Sequence, residues 1–221
     1  MKVRGPLITL AAVAALGAGI LFVNISQEPD NAPPATPSAA PTTTAAAAPA
    51  PQPPAPTTPQ APAFPAKADY VGKIPIANGV ITLDITVEGD KAVAYACDGN
   101  TVESWLRGPA VNGTVSLANK DNTSRLEGRL EGTSVVGTLS IGEKKWDFTA
   151  AAVQEPAGLY VYEEGGQRVS WIVDADGGVT GVLRLDDGST VPAPGLEVDG
   201  STAVIDGRTV TATRVQGAGD V

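Results

Sequence analysis

From Ile81 to Glu88 the chain alternates without a break: Ile81, Thr82, Leu83, Asp84, Ile85, Thr86, Val87, Glu88. Successive side chains leave a strand on opposite faces, so a period of two marks a half-buried strand. Ile81, Leu83, Ile85 and Val87 are expected to point inward. Short runs of this kind, split by Gly, Asp and Asn, continue to the end of the chain, and no stretch after Asp69 carries a helical period. Further strands read as Tyr70–Ile76, Val102–Arg107, Gly113–Ala118, Gly158–Glu163, Gln167–Val173 and Val179–Leu185. The tail adds Leu196–Val198, Thr202–Ile205 and Thr209–Val215. Many short, evenly spaced strands imply an all-β fold, an antiparallel meander that closes as a barrel or packs as a sandwich.

Turn chemistry fixes some registers. Gly142-Glu143 has Gly first, as a type II′ hairpin turn requires. It pairs Leu139 with Trp146, Gly137 with Phe148 and Val135 with Ala150, and places Trp146 and Phe148 in the core. A loop from Glu131 to Ser134 pairs Leu130 with Val135. Leu126, Gly128 and Leu130 then share the inner face, with Arg125, Glu127 and Arg129 in water. The strand from Lys91 to Asp98 allows two registers. A two-residue loop pairs Val87 with Ala92 and turns Tyr95 and Cys97 outward. A three-residue loop pairs Val87 with Val93 and turns them inward. The second is preferred, because it gathers the large apolar groups on one face.

Ahead of these strands lie two segments of different character. Lys2 and Arg4 precede an apolar run over residues 6–23, long enough to cross a bilayer as a helix of about 27 Å. The basic residues come first, so the N-terminus is expected in the cytoplasm and the remainder outside it. The run ends in bulky residues with no small-x-small cleavage site, which favours an uncleaved anchor. From Gln27 to Ala68, 13 of 42 residues are Pro, in a background of Ala, Thr, Ser and Gln. Such a segment favours extended polyproline II and lacks the apolar groups to fold. The expected organisation is a transmembrane signal anchor over 1–26, a disordered linker over 27–68, an antiparallel β domain over 69–191, and a C-terminal β-hairpin extension over 192–221.

Two stretches, KAVAYACDGNTVESWLRG at Lys91–Gly108 and AGLYVYEEGGQRVSWIVDADGG at Ala157–Gly178, together with the anchor and linker, give the chain a family likeness. It resembles an uncharacterised family of actinobacterial membrane-anchored or secreted proteins with an extracytoplasmic β domain. The likeness spans about Tyr70 to Leu185 and brings no functional residue with it. The Cys97-Asp98-Gly99 turn is also similar to one in periplasmic inhibitor barrels for C-type lysozyme, but the partner cysteine of those proteins is absent.

Composition excludes several chemistries. The chain has no His, which removes Ser-His-Asp and Cys-His catalysis and nearly all zinc enzymes. Cys97 is the single cysteine, so no internal disulfide forms. From Asp69 onward 22 Asp and Glu face 12 Lys and Arg, a net charge of −10 that disfavours nucleic acid. Asp174-Ala175-Asp176-Gly177-Gly178 lacks the remaining ligands of a calcium loop and reads as a turn. No metal or cofactor is implied. Glu103 with Glu163 or Glu164 would supply the two carboxylates that wall hydrolysis needs. A binding surface is expected around Trp105, Arg107, Tyr160 and Trp171, because aromatics and Arg dominate binding hot spots. These features together point to a non-enzymatic binding or scaffolding module at the plasma membrane. Its partner is an unidentified envelope protein, glycan or lipid. The competing readings are a calycin-like barrel with a small apolar ligand and a carboxylate-dependent wall hydrolase.

Overall fold

The computed structural model describes residues 62–221, so the expected anchor and most of the linker lie outside the described residues. All regular structure in this part is β. The first eight strands are β1 (Lys67–Ile76), β2 (Gly79–Glu88), β3 (Lys91–Cys97), β4 (Glu103–Val111), β5 (Thr114–Ala118), β6 (Ser124–Glu131), β7 (Ser134–Ile141) and β8 (Lys144–Val153). They form an antiparallel meander that closes into a barrel, with Tyr70 of β1 opposite Ala152 of β8.

The interior is filled by the inward residues of every strand. Tyr70, Ile74, Ile81, Leu83, Ile85, Val87, Leu106, Leu117, Leu126, Leu139 and Phe148 form one buried cluster. At the end of the linker, Phe64 packs edge-to-face on Tyr70 with ring centroids 6.0 Å apart and closes one mouth of the barrel. Gly128 pairs with Gly137, which in turn pairs with Phe148. A Cβ on Gly137 would meet the Glu127 carbonyl oxygen at 2.0 Å, so this close strand approach requires glycine.

The β6–β8 registers match the sequence expectation pair for pair, including Leu130 with Val135 and Leu139 with Trp146. Two expectations are corrected. Glu88 pairs with Lys91 and Val87 with Ala92, so the β2–β3 loop has two residues and Tyr95 and Cys97 point out of the barrel. They are nonetheless fully buried, as are Val93 and the outward Thr82, Asp84 and Thr86. The outer wall here is itself covered, so gathering apolar groups on one face was the wrong criterion. Trp146 points inward but sits at a barrel mouth beside Ile76, Lys144 and Lys145, where it is only half-buried.

The cover is a second sheet. Strands β9 (Gly158–Glu164), β10 (Gln167–Val173), β11 (Val179–Arg184), β12 (Thr190–Pro192) and β16 (Thr213–Arg214) pair in the order β12-β11-β10-β9-β16. One face, with Leu159, Val161, Ile172 and Val182, packs on Val71, Val93, Tyr95 and Cys97 of the barrel. The other face, with Tyr160, Val169, Trp171 and Val173, packs on a small third sheet of β13 (Leu196–Glu197), β14 (Thr202–Ile205) and β15 (Arg208–Thr211). The residues after Pro192 are therefore more than an extension. They cover Trp171 and supply the β16 edge of the second sheet.

Polar ties lock the layers. Lys73 on β1 pairs with Asp174 at 2.6 Å, and the Asp174 Oδ1 accepts the N–H groups of Asp176 and Gly178 at 2.9 Å each. Asp174 thus organises the turn expected for its Asp-x-Asp-Gly-Gly segment. Burial alone would raise its carboxyl, but Lys73 and the two N–H groups hold it below the usual aspartate range.

Candidate functional site

Where the second sheet ends, the outer wall of β4 emerges from cover. Glu103, Trp105 and Arg107 alternate outward there, with Ser104 and Leu106 buried on the opposite side. Above them lies one cross-strand row of the sheet, in which Arg168 pairs with Glu163 on β9 and with Arg184 on β11. This row has the same parity as Val161, Ser170 and Val182, so it faces the barrel.

Trp105 is the centre of the arrangement. Its ring lies against Tyr95 with centroids 4.6 Å apart, and the Arg168 guanidinium sits 5.1 Å from its centroid, within cation–π range. Trp105 Nε1 donates to Glu103 Oε1 at 3.2 Å, and Arg184 lies 3.8 Å from Glu103 Oε2. Arg168 is also ion-paired to Glu163. The Gly165-Gly166 turn, with both residues at positive φ, closes the β9–β10 hairpin and frames an open cleft of about 480 Å³. Glu163, Gln167, Arg168 and Arg184 line it, and the volume is in the range of small-ligand sites. Arg107 lies exposed two residues along β4 from Trp105.

The structure divides the four expected binding residues. Trp105 and Arg107 share the outer face of β4, and Trp105 touches the cleft-lining Arg168. Tyr160 and Trp171 are directly opposite each other on β9 and β10, as their hairpin demands, but on the far face of the sheet. Trp171 has no exposed surface and its Nε1 donates to the Pro194 carbonyl at 2.7 Å; the Tyr160 hydroxyl donates to the Pro156 carbonyl at 2.8 Å. Both are core residues beneath the third sheet, and neither reaches the cleft.

Arg168 and Arg184 were missed in the sequence. A signal existed: counting outward from Gly165-Gly166 pairs Glu164 with Gln167 and Glu163 with Arg168. The packing of this row over Trp105 was not readable, because it depends on how the sheet docks. Cys97 lies buried in the layer beneath, and burial pushes its thiol up to about 11, so it is no ready nucleophile. Among the described residues no group of three or more Cys, Asp and Glu side chains converges as a metal site would require.

Comparison of the chain with protein-family models, curated proteins and solved structures gave no match.

Proposed function

We propose that the chain is a non-enzymatic binding module of the cell envelope, carried outside the cytoplasm by an N-terminal anchor and a Pro-rich linker. Its binding surface is the outer face of β4 at Trp105 and Arg107 together with Arg168, which lies over Trp105, and Arg184, the two arginines that line the adjoining cleft. The carrying observation is Trp105, a large aromatic left only partly buried at the seam, with Arg107 exposed beside it, while Val93, Tyr95 and Cys97 on the adjacent strand are covered. Half-buried Trp with Arg beside it is the composition of an interaction hot spot. The apolar run over residues 6–23 and the Pro-rich segment, both read from sequence, support the placement.

The barrel interior supports this reading over an internal apolar ligand. Its inward side chains, large ones such as Tyr70, Leu83, Leu106 and Phe148 facing the small Ala92, Ala94 and Ala96, form one packed cluster, and Phe64 packs against it from one end. A carboxylate hydrolase is less well supported. Glu163 lines the cleft but Glu103 does not; both Glu103 oxygens are engaged, one by Trp105 and one by Arg184, and Glu163 is bound by Arg168. Two carboxylates that must flank a scissile bond are better placed free to face it.

The test uses the full chain with isolated wall glycan, lipid vesicles and a detergent extract of envelope proteins. Wild type is expected to be retained by one of the three. Trp105→Ser and Arg107→Ser are expected to lose that retention while the chain stays folded, with a small fall in melting temperature for Trp105→Ser, which gives up its contact with Tyr95, and none for the exposed Arg107→Ser. Equal retention of wild type and Trp105→Ser would remove the cleft from the function.

A further inference from the structure

The layer between barrel and second sheet contains a carboxyl with no exposed surface. Asp84 projects from the outer face of β2, and its Oδ2 meets no hydrogen-bond partner. Its Oδ1 lies 3.0 Å from Thr86 Oγ1, which lies 2.9 Å from Asp69 Oδ1. A hydroxyl has one proton to donate. With both carboxyls ionised it could serve only one of them, and the other contact would set lone pair against lone pair. Asp69 is the ionised member, because Arg214 on β16 donates to its Oδ2 at 2.9 Å. One proton order satisfies every contact: Arg214 and Thr86 donate to Asp69, and the Asp84 carboxylic acid donates to Thr86.

The surroundings agree. On β3, Tyr95 pairs opposite Asp84 and Cys97 lies two residues further; burial raises both, so neither offers a charge near neutral pH. From the covering sheet, β9 and β10 present Leu159, Val161, Ser170 and Ile172, none of them titratable. Arg214 also reaches Glu155 at 3.6 Å and the Ala157 carbonyl at 2.8 Å, so its charge is shared. Burial, and then the Asp69 charge, push the Asp84 carboxyl well above the usual aspartate range, against the pull of Thr86 and Arg214.

We propose that Asp84 is a neutral carboxylic acid in the folded protein and that its proton is the pin of a pH-sensitive latch between the barrel and the C-terminal sheets. Losing it leaves two carboxylates sharing one hydroxyl in a buried layer, and the sheets loosen from the β1–β3 wall. The sign follows from proton linkage. The folded state holds this proton where the unfolded chain has lost it, so the contribution is fullest below the ordinary aspartate value of 3.8. It declines as pH rises, until the folded carboxyl itself ionises.

The first measurement is denaturant unfolding of the full chain from pH 5 to pH 9, wild type beside Asp84→Asn, whose amide N–H₂ can donate to Thr86 as the acid does. The ratio of wild-type to variant unfolding constants is expected to rise with pH, by about tenfold per unit for as long as the folded carboxyl keeps its proton, and to level off once it ionises. Parallel profiles would overturn the proposal. If the variant does not fold, ¹³C NMR of the Asp84 carboxyl in the wild type decides. A resonance that stays in its protonated position from pH 5 to pH 8 supports the assignment, and one that titrates in the ordinary aspartate range sinks it. Opening is read by labelling Cys97 with a neutral thiol reagent. Below its raised pKa the thiolate alone gives about tenfold per pH unit. A steeper rise in wild type than in Asp84→Asn is the latch opening, and equal slopes show that the interface does not respond.

Discussion

Side chains of similar chemistry carry different weight here because of where the strand places them. Phe148 is buried inside the barrel over the Gly128–Gly137 pair, whereas Trp146, two residues earlier on the same face, is only partly buried at the mouth. Phe148→Ala should cost about 3–5 kcal/mol, the range for a buried aromatic that leaves a cavity. Trp146→Ala should cost roughly 1–2 kcal/mol, since part of its surface is already in water. Denaturant unfolding of both variants checks the pair, and a larger loss for Trp146 would mean the mouth is more closed than described. Gly137→Ala tests the strand approach. Its added methyl meets backbone, which cannot swing aside as a side chain can. A loss of about 1–3 kcal/mol is expected, and a neutral result would show that β6 and β7 can separate without penalty.

At the level of strands, legibility followed the number of buried faces. In β6, β7 and β8 one face is apolar and the other carries Arg125, Glu127, Arg129, Lys145 and Asp147, so alternation and turn type led to the observed pairs. In β2 and β3 both faces are buried. Ala92, Ala94 and Ala96 fill the barrel while Val93, Tyr95 and Cys97 meet the second sheet. Alternation then no longer separates core from solvent, and size misleads, because the smaller residues face the narrower interior. The same ambiguity governs β9 and β10, where Trp171 and Ile172 are adjacent and both fully buried. It explains why Trp105 and Arg107 were placed together correctly while Tyr160 and Trp171 were grouped with them across a sheet. Removing residues 196–221 tests how these elements depend on one another. That cut exposes Trp171 and Tyr160, deletes β16 and frees Asp69 from Arg214. The truncated chain should show red-shifted Trp fluorescence and rapid proteolysis between Gly158 and Arg184. Native fluorescence with intact protease resistance would make the tail dispensable.

The described residues stack in three layers, and the barrel serves as one of them. Closing a sheet on itself removes its edges, which ordinarily lets a barrel stand alone. This one has a further demand. Its β1–β3 wall presents Val71, Val93, Tyr95 and Cys97 outward, with the Asp84 carboxyl among them. Without the second sheet these would form a contiguous apolar patch of a kind that soluble monomers rarely expose. The polar group within it is released by exposure, since Asp84 would ionise in water, while the apolar groups around it would seek another cover. A fragment ending at Val153 should therefore close its internal core but associate through this wall. Size-exclusion chromatography should find it oligomeric or aggregated, with Cys97 either cross-linking between copies or labelling rapidly. Replacing Val93 and Tyr95 together by Thr should restore a monomer, because both leave the internal packing of Ala92, Ala94 and Ala96 untouched. A monomeric wild-type fragment with Cys97 as protected as in the full chain would mean that the wall closes over itself and that the second sheet is held by something other than apolar burial.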